Sequence, residues 1–347
     1  MTAANTRKLP QFYVSLEQDY MALTNEVTLA YGANTGRFWI YGQDALDLLN
    51  RISTQQLANL KQNQVSFTVF TTSKGRIIDF LTVTHLGDRL LIFTALEAKD
   101  RVMESIDFFS FDDDVKLEDC TDETELYQLI GHQAPAKITS FLTDQSNIPD
   151  INQAKQISIN NDPIVIIRTD RTKIPAYEIL ALNSGKGIHS KMTESGVPLV
   201  GTEALEVFRI ENGIPAFGSE LSERFNPIEA GLSDAISFDK GCYVGQEVVA
   251  RLNTYDKVKR ELIRLKWNKP GIQKGDIMFF EDQEIGEVTS CAKKAKESYV
   301  GLGYLKRNSN SHDIKIGLKR EIIEQQFHRL TDKNSMGKDF KFFIVSS

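Results

Sequence analysis

Lys240-Gly241-Cys242-Tyr243-Val244-Gly245-Gln246-Glu247 is the stretch of this 347-residue chain whose reading decides most about it. Val248, Val249, Ala250 and Arg251 follow with helical texture, so Cys242 stands just ahead of a predicted helix start. A thiol in that position feels the positive end of the backbone dipole. Lys240, two residues away, adds a positive charge, and both effects favour the thiolate, drawing a thiol pKa from about 8.5 toward neutrality. Gly241 and Gly245 allow close approach of backbone to a ligand, or positive φ. The same residues also fit a plainer reading, in which an isolated cysteine between glycines is a small packing residue. Residue types alone leave both open.

Working outward toward the N-terminus, Ala45, Leu48, Leu49 and Ile52 recur at helical spacing behind Asp44, a plausible cap. Val65, Phe67 and Val69 alternate with Ser66 and Thr68 as a strand would, and Ile77 to Thr84 and Leu90 to Thr94 read as two more strands around the turn Gly87-Asp88. Ala98, Val102, Ile106 and Phe109 signal a second helix. This helix–strands–helix order is that of an α+β domain. Residues 143 to 163, rich in Asn, Asp, Gln and Ser, are expected to form a loop or irregular crossing. Strands are expected at Ile164 to Thr169 and near Tyr177 to Leu182, and a helix around Ala204, Leu205 and Phe208.

Beyond residue 258 short β-like pieces take over, punctuated by Gly271, Gly275, Gly286 and Gly301: Ile263 to Trp267, Ile277 to Phe280, Ile285 to Thr289, Tyr299 to Tyr304 and Phe340 to Val345. That spacing suggests a small β-barrel or sandwich, with a domain boundary near residue 255. Lys315 to Leu330 can be read as helix or strand. Lys293-Lys294-Ala295-Lys296 reads as a solvated loop.

Composition narrows the function classes. A formal net charge of -6 argues against bulk nucleic acid as a stable partner. No apolar run approaches the roughly 18 residues of a membrane span, and Glu17 and Asp19 fall where a secretory signal would be apolar. Three dispersed cysteines, Cys120, Cys242 and Cys291, read as reduced thiols of a cytoplasmic compartment, with Cys120 and Cys291 structural. The five histidines show no metal-ligand spacing, so no metal site is expected.

The octapeptide resembles the K-G-C-[FY]-x-G-Q-E motif of the YgfZ/aminomethyltransferase family, matched at every position. Leu205 to Glu211, Gly213-Ile214-Pro215, Gly218-Ser219-Glu220-Leu221 and Asn226 to Leu232 resemble the family segment that precedes the motif. Gly42-Gln43-Asp44-Ala45 and Lys74 to Asp79 resemble its N-terminal landmarks, and Gly286 to Ser290 and Gly301 to Tyr304 its C-terminal pattern. The resemblance implies a three-part ring: a folate-binding core of two α+β subdomains over residues 1–255, crossing near 125–165, and a C-terminal small β-barrel over 256–347.

It also implies tetrahydrofolate, or a one-carbon derivative, as ligand. By position Glu178 corresponds to the family's pterin-reading glutamate. Tyr177 precedes it, in Ala176-Tyr177 where the family has Gly-Tyr, and the flanking glycines are missing. Arg209 corresponds to the arginine of the family's Leu-Arg-Leu-Glu segment, with Glu211 close behind. Tyr243, Gln246 and Glu247 join the expected ligand-binding set, while Cys242, Lys240 and Asp79 form the expected chemical set. A solvent-facing strand position for Glu178 and a helix-surface charge for Arg209 are the plain alternatives.

Aminomethyltransferases carry Ile-Leu-Asp-Asp-Leu where this chain has Ile77-Ile78-Asp79-Phe80-Leu81, so one acid survives. Transfer chemistry needs a carboxylate to manage proton movement at the folate nitrogen. The Lys-Gly-Cys motif is absent from that branch. Both features point to the YgfZ branch, which is linked to the assembly, repair or maintenance of iron–sulfur enzymes, including a tRNA-modifying enzyme. Client enzymes or assembly factors are then the expected partners and Cys242 the key thiol. One cysteine cannot hold a cluster, since stable clusters need about four ligands. Aminomethyl or methyl transfer through Asp79 is the alternative, and a non-catalytic folate-binding adaptor a third reading.

Overall fold

The computed structural model describes residues 10–142, 148–159, 161–172, 174–182, 191–192, 194–280, 283–307, 315–317, 326–331 and 341–346. The first part of the chain forms α1 (Leu16–Asn25), β1 (Thr28–Tyr31), β2 (Thr35–Tyr41), α2 (Ala45–Ile52), β3 (Val65–Thr71), β4 (Ile77–His85), β5 (Arg89–Ala95), α3 (Lys99–Phe109) and β6 (Lys116–Asp119). Then come β7 (Glu125–Ile130), α4 (Ala134–Phe141), β8 (Gln153–Ile159), β9 (Asp162–Arg168) and β10 (Ala176–Ala181), followed by α5 (Thr202–Glu211) and α6 (Gln246–Thr254).

Two five-stranded sheets result, ordered β3-β4-β5-β2-β6 and β1-β7-β10-β9-β8. Although β1 precedes β2 by only a short connection, it pairs antiparallel with β7, so the two sheets share the N-terminal chain. They face each other across a joint core that sets Trp39, Leu91 and Phe93 of the first against Val165, Ile167 and Leu180 of the second. On its other face the first sheet buries α2 and α3. The helical spacing of α2 puts Ala45, Leu48, Leu49 and Ile52 on one buried stripe. Asp44 precedes that helix without capping it; its carboxylate accepts instead from the Asp114 amide at 2.8 Å.

The run expected as loop contains a strand, β8. It is polar because it is an edge strand, with Ala154 and Ile159 buried and the residues between them more exposed. An edge strand with one wet face carries no alternation strong enough to separate it from a loop. Residues 143–147 and 160 of that run lie outside the described residues.

The C-terminal part consists of β11 (Arg260–Trp267), β12 (Ile277–Phe280), β13 (Gln283–Ala295), β14 (Ser298–Lys306), β15 (Lys315–Gly317), β16 (Gln326–Thr331) and β17 (Lys341–Ser346). They make one seven-stranded sheet, β15-β12-β13-β14-β11-β17-β16, with β15 and β16 at its two ends. The expected small barrel is therefore, among the described residues, an open sheet. Strand spacing reads alike for both, because closure depends on pairing the two terminal strands and leaves no trace in alternation. The described pieces of 315–330 are strands, and 318–325 lie outside the described residues. Lys293 and Lys294 belong to β13 rather than to a loop, and Lys294 bridges Glu211 at 2.9 Å. Val207 and Ile210 of α5 join Leu262, Leu302 and Tyr304 in a core that ties this sheet to the first. No described helix is long and apolar enough to cross a membrane.

Candidate functional site

Alternation along β10 decides which residues can meet a ligand. Tyr177 turns into the core of the second sheet and is fully buried. Glu178 turns the other way, onto the floor of a cleft of about 330 Å³ that continues into a second space of about 200 Å³. Asn34, Thr35, Gln128, Arg171 and Glu178 line both spaces. Such volumes are those of small-molecule sites.

Glu178 faces its register partner Gln128 on β7, which hydrogen-bonds the carboxyl. Its Oε2 is buried with no partner. A buried carboxylate oxygen left unsatisfied costs free energy until a donor reaches it. Burial pushes the Glu178 carboxyl up to about 7, against the opposing pull of the Arg171 charge and the Gln128 hydrogen bond. Asp79 lines the inner space and is buried. Its Oδ2 accepts from Thr94 Oγ1 and, at 2.8 Å, from the Ala95 amide. Burial raises its pKa, opposed by those hydrogen bonds and by the Arg171 charge.

Phe80, the residue beside Asp79, stacks on Phe67 with ring centroids 5.6 Å apart and carries the Arg171 guanidinium 4.4 Å above its own ring. Arg171 and Gln128 are two members of this cleft that bear on Glu178 and that sequence reading passed over. Gln128 had a signal, being a lone amide inside the apolar run Leu126 to Ile130. Arg171 lies in the polar run Thr169-Asp170-Arg171-Thr172, and nothing local distinguishes it from a solvated turn.

Arg209 also lines the cleft, but its donors are committed. The guanidinium bonds both carboxylate oxygens of Glu206, the Ile214 carbonyl, Glu220 Oε2 at 3.2 Å and Ser290 Oγ at 2.7 Å. An arginine has five N–H donors, and these bonds use five. Glu211 stands apart from the cleft in an ion cluster with Lys294 at 2.9 Å, Lys266 at 3.4 Å and the Tyr20 hydroxyl. Burial would raise its carboxyl, yet the hydrogen bonds and charges of Tyr20, Lys294 and Lys266 hold it below the usual range.

The octapeptide is a braced loop against the β3–β4 turn. Thr71 Oγ1 donates to the Val244 carbonyl at 2.6 Å, and Gln246 Nε2 reaches back to the carbonyls of Lys240 and Gly241. Gly245 has φ 83°, and a Cβ there would lie 2.5 Å from the Thr72 carbonyl oxygen. A Cβ built at Gly241 would meet nothing within 4 Å. Lys240 gives its hydrogen bonds to carbonyls rather than to the thiol. Its ammonium is turned to the end of α2, donating to the carbonyls of Asn50, Ser53 (2.9 Å) and Gln55 (2.7 Å), and burial pushes it down to about 8. Helix ends leave carbonyls without intrahelical partners, and a cation there is favoured. Tyr243 is buried beneath that ammonium, 5.3 Å from it, and burial raises its hydroxyl to about 12. Glu247 is exposed in the first turn of α6.

Cys242 is exposed, whereas Cys120 is buried and Cys291 half-buried. Burial pushes the Cys120 thiol up to about 12 and raises that of Cys291. The structure thus sets apart two groups that the sequence had joined: Glu178, Asp79 and Arg209 share the cleft, while Cys242, Lys240, Tyr243, Gln246 and Glu247 share the braced loop.

The GCVT N-terminal domain family matches residues 1–240. A chloroplastic putative transferase of Arabidopsis thaliana is 28% identical over 298 residues, spanning 84% of this chain and 68% of that one. An aminomethyltransferase of Halothermothrix orenii is 25% identical over 312 residues, spanning 86% and 85%. The crystal structure of the glycine cleavage system aminomethyltransferase T of Bartonella henselae superposes with a TM-score of 0.77 at 20% identity, covering 90% of this chain and 89% of that one. That likeness shows a shared mixed α+β fold.

Proposed function

Since the chain belongs to the GCVT N-terminal domain family, we propose that its cleft binds tetrahydrofolate or a one-carbon derivative, and that the loaded protein supports the assembly, repair or maintenance of iron–sulfur enzymes through Cys242. The observation that carries the ligand reading is the Glu178 carboxylate, whose Oε2 is buried, unpartnered and set in the cleft floor. A pterin offers adjacent N–H donors that one carboxylate takes in a bidentate pair, as guanidinium donors are taken. Its flat ring suits the apolar and aromatic wall.

The thiol reading rests on the K-G-C-Y-V-G-Q-E match to the YgfZ branch and on how the loop is built. Gly245, Thr71, Gln246 and Lys240 all hold the backbone, and the result is one cysteine presented to solvent. A single thiol supplies one ligand of the four a cluster needs, so the other ligands come from a client, which a tRNA-modifying iron–sulfur enzyme would exemplify. A reducing cytoplasm is the compartment in which such a thiol stays free. Aminomethyl or methyl transfer is the second reading, favoured by Asp79 at the inner end of the cleft with a raised pKa, where it could exchange a proton with a folate nitrogen.

The test is complementation. In a strain lacking the native gene, an iron–sulfur enzyme's activity is measured after restoring the wild-type chain, Cys242→Ala, Asp79→Asn or Glu178→Gln at equal soluble levels. The maintenance reading expects the wild type to restore activity and Cys242→Ala and Glu178→Gln to fail. Equal rescue by Cys242→Ala overturns the thiol role. Failure of Asp79→Asn alone moves transfer chemistry to the front.

A further inference from the structure

We propose that Arg171 is a specificity-determining residue of the cleft: it reads the 4-oxo group of a pteridine ring while Glu178 reads the neighbouring N3–H and 2-amino donors, so that the site selects 4-oxo over 4-amino pteridines. This rests on the pteridine reading of the cleft and adds to it a residue that no family position supplied.

Two charged groups of opposite sign face one cavity here without joining. Arg171 and Glu178 both line the two connected spaces, and so does Asp79 the inner one. Among the described residues Arg171 forms no ion pair with either carboxylate, and its guanidinium makes no hydrogen bond. Glu178 Oε2 is likewise unpartnered. Two opposite charges that share one cavity without pairing, with the Glu178 Oε2 buried, are costly unless something bridges them. The guanidinium is nevertheless fixed, because the rings of Phe80 and Phe67 hold it at 4.4 and 5.8 Å. Stacking covers a guanidinium's face and leaves the N–H groups on its rim for an acceptor.

The ligand that fits such a pair carries donors beside an acceptor along one edge. The pyrimidine edge of a 4-oxo pteridine has that order: amino group, ring N–H, carbonyl oxygen. Glu178, steadied by Gln128, takes the first two, and Arg171 takes the third. Replacing the carbonyl by an amino group sets donor against donor at Arg171. A site built to hydrogen-bond a substrate group rejects the analogue that cannot reciprocate, far more strongly than an apolar pocket rejects a change of shape.

The experiment titrates the full-length chain with tetrahydrofolate and with its 4-amino-4-deoxy counterpart by calorimetry, for wild type, Arg171→Leu and Arg171→Lys. Arg171→Leu keeps apolar bulk on Phe80 and removes every donor; Arg171→Lys restores the charge without the fork. The expected result is a wild-type preference for the 4-oxo ligand that falls about 10- to 100-fold in Arg171→Leu, the range of a lost hydrogen bond to a charged group. Arg171→Lys recovers part of it. If the ratio of the two affinities stays the same in both variants, the inference is overturned while the folate reading survives. If the wild-type chain binds neither compound, both fall together. Should Arg171→Leu lack a cooperative thermal transition, the ratio in Arg171→Lys decides, since an unchanged ratio there also sinks the proposal.

Discussion

At the scale of single residues, Glu178 is where sequence, burial and chemistry converge. Its carboxyl lies at about 7 rather than near 4.5 because burial disfavours the charged form more than Arg171 and Gln128 favour it. The folded chain therefore keeps that proton over a pH range in which the unfolded chain has lost it. This group's contribution to stability is fully present below about pH 4.5 and declines as pH rises through about 7. On the proposed folate reading, ligand binding has the opposite sign, since donors on a pterin edge would pair with the ionised carboxylate. Affinity for tetrahydrofolate is expected to weaken below pH 7, approaching about tenfold per pH unit, and to level off above it. Calorimetric titrations between pH 5.5 and 8 measure this directly. A Glu178→Gln chain whose affinity followed the same slope would assign the titration to another group. Lys240 teaches the complementary lesson. A lysine two positions from a cysteine looks like its electrostatic partner, yet here three carbonyls at the end of α2 take all three ammonium donors.

At the scale of elements, the β3–β4 turn and the octapeptide loop are one unit, although some 170 residues separate Gly75 from Gly245. Gly245 combines φ 83° with a Cβ position 2.5 Å from a backbone oxygen, and Gly75 lies 3.0 Å from that same Cβ position. Gly245→Ala is expected to destabilise the chain by about 1–3 kcal/mol, the usual cost of a strained backbone position, and to displace the loop. Urea unfolding gives the first quantity. The rate of Cys242 alkylation under native conditions gives the second, and it should change, because the loop's geometry sets the thiol's surroundings. An unchanged rate together with unchanged stability would mean that the turn does not brace the loop.

The helix α2 and the strands β3 to β5 were legible because their apolar periods are strong and local, whereas the face of β10 was not, Tyr177 and Glu178 having been expected at the ligand together. The edge strand β8 was not, since one wet face erases the period, and neither was the open C-terminal sheet, whose ends are defined by pairing at long range. In the site the same division holds. Glu178 and Asp79 stand beside recognisable motifs, while Arg171 enters only through the fold, which carries the β9–β10 connection over Phe80.

At the scale of the whole molecule, one buried carboxylate fastens the C-terminal sheet to the cleft. Glu220 is fully buried, yet every oxygen is occupied. Oε1 accepts from Thr289 Oγ1 at 2.5 Å and Ser290 Oγ at 2.7 Å on β13, while Oε2 accepts from the Ala216 amide at 3.0 Å and from Arg209 on α5. Its own carbonyl takes the Tyr304 hydroxyl of β14 at 2.9 Å. Arg209 lines the cleft, and Ala216 sits between the cleft-lining Pro215 and Phe217, so the carboxylate connects the cleft wall to the sheet through both. Removing one member of a buried, satisfied ionic cluster costs more than making it gains, because the partners stay desolvated. Glu220→Ala is therefore expected to cost about 3–5 kcal/mol in urea unfolding. The loss should be local in character: amide exchange should speed up on β13 and α5 well before it changes on β3 to β5. Uniform acceleration across all three sheets would show that Glu220 supports the fold generally. An unaltered midpoint would show that Arg209 finds enough compensation in Glu206. Only selective loosening of β13 and α5 fits a molecule whose cleft keeps its shape because the C-terminal sheet is fastened to it at this point.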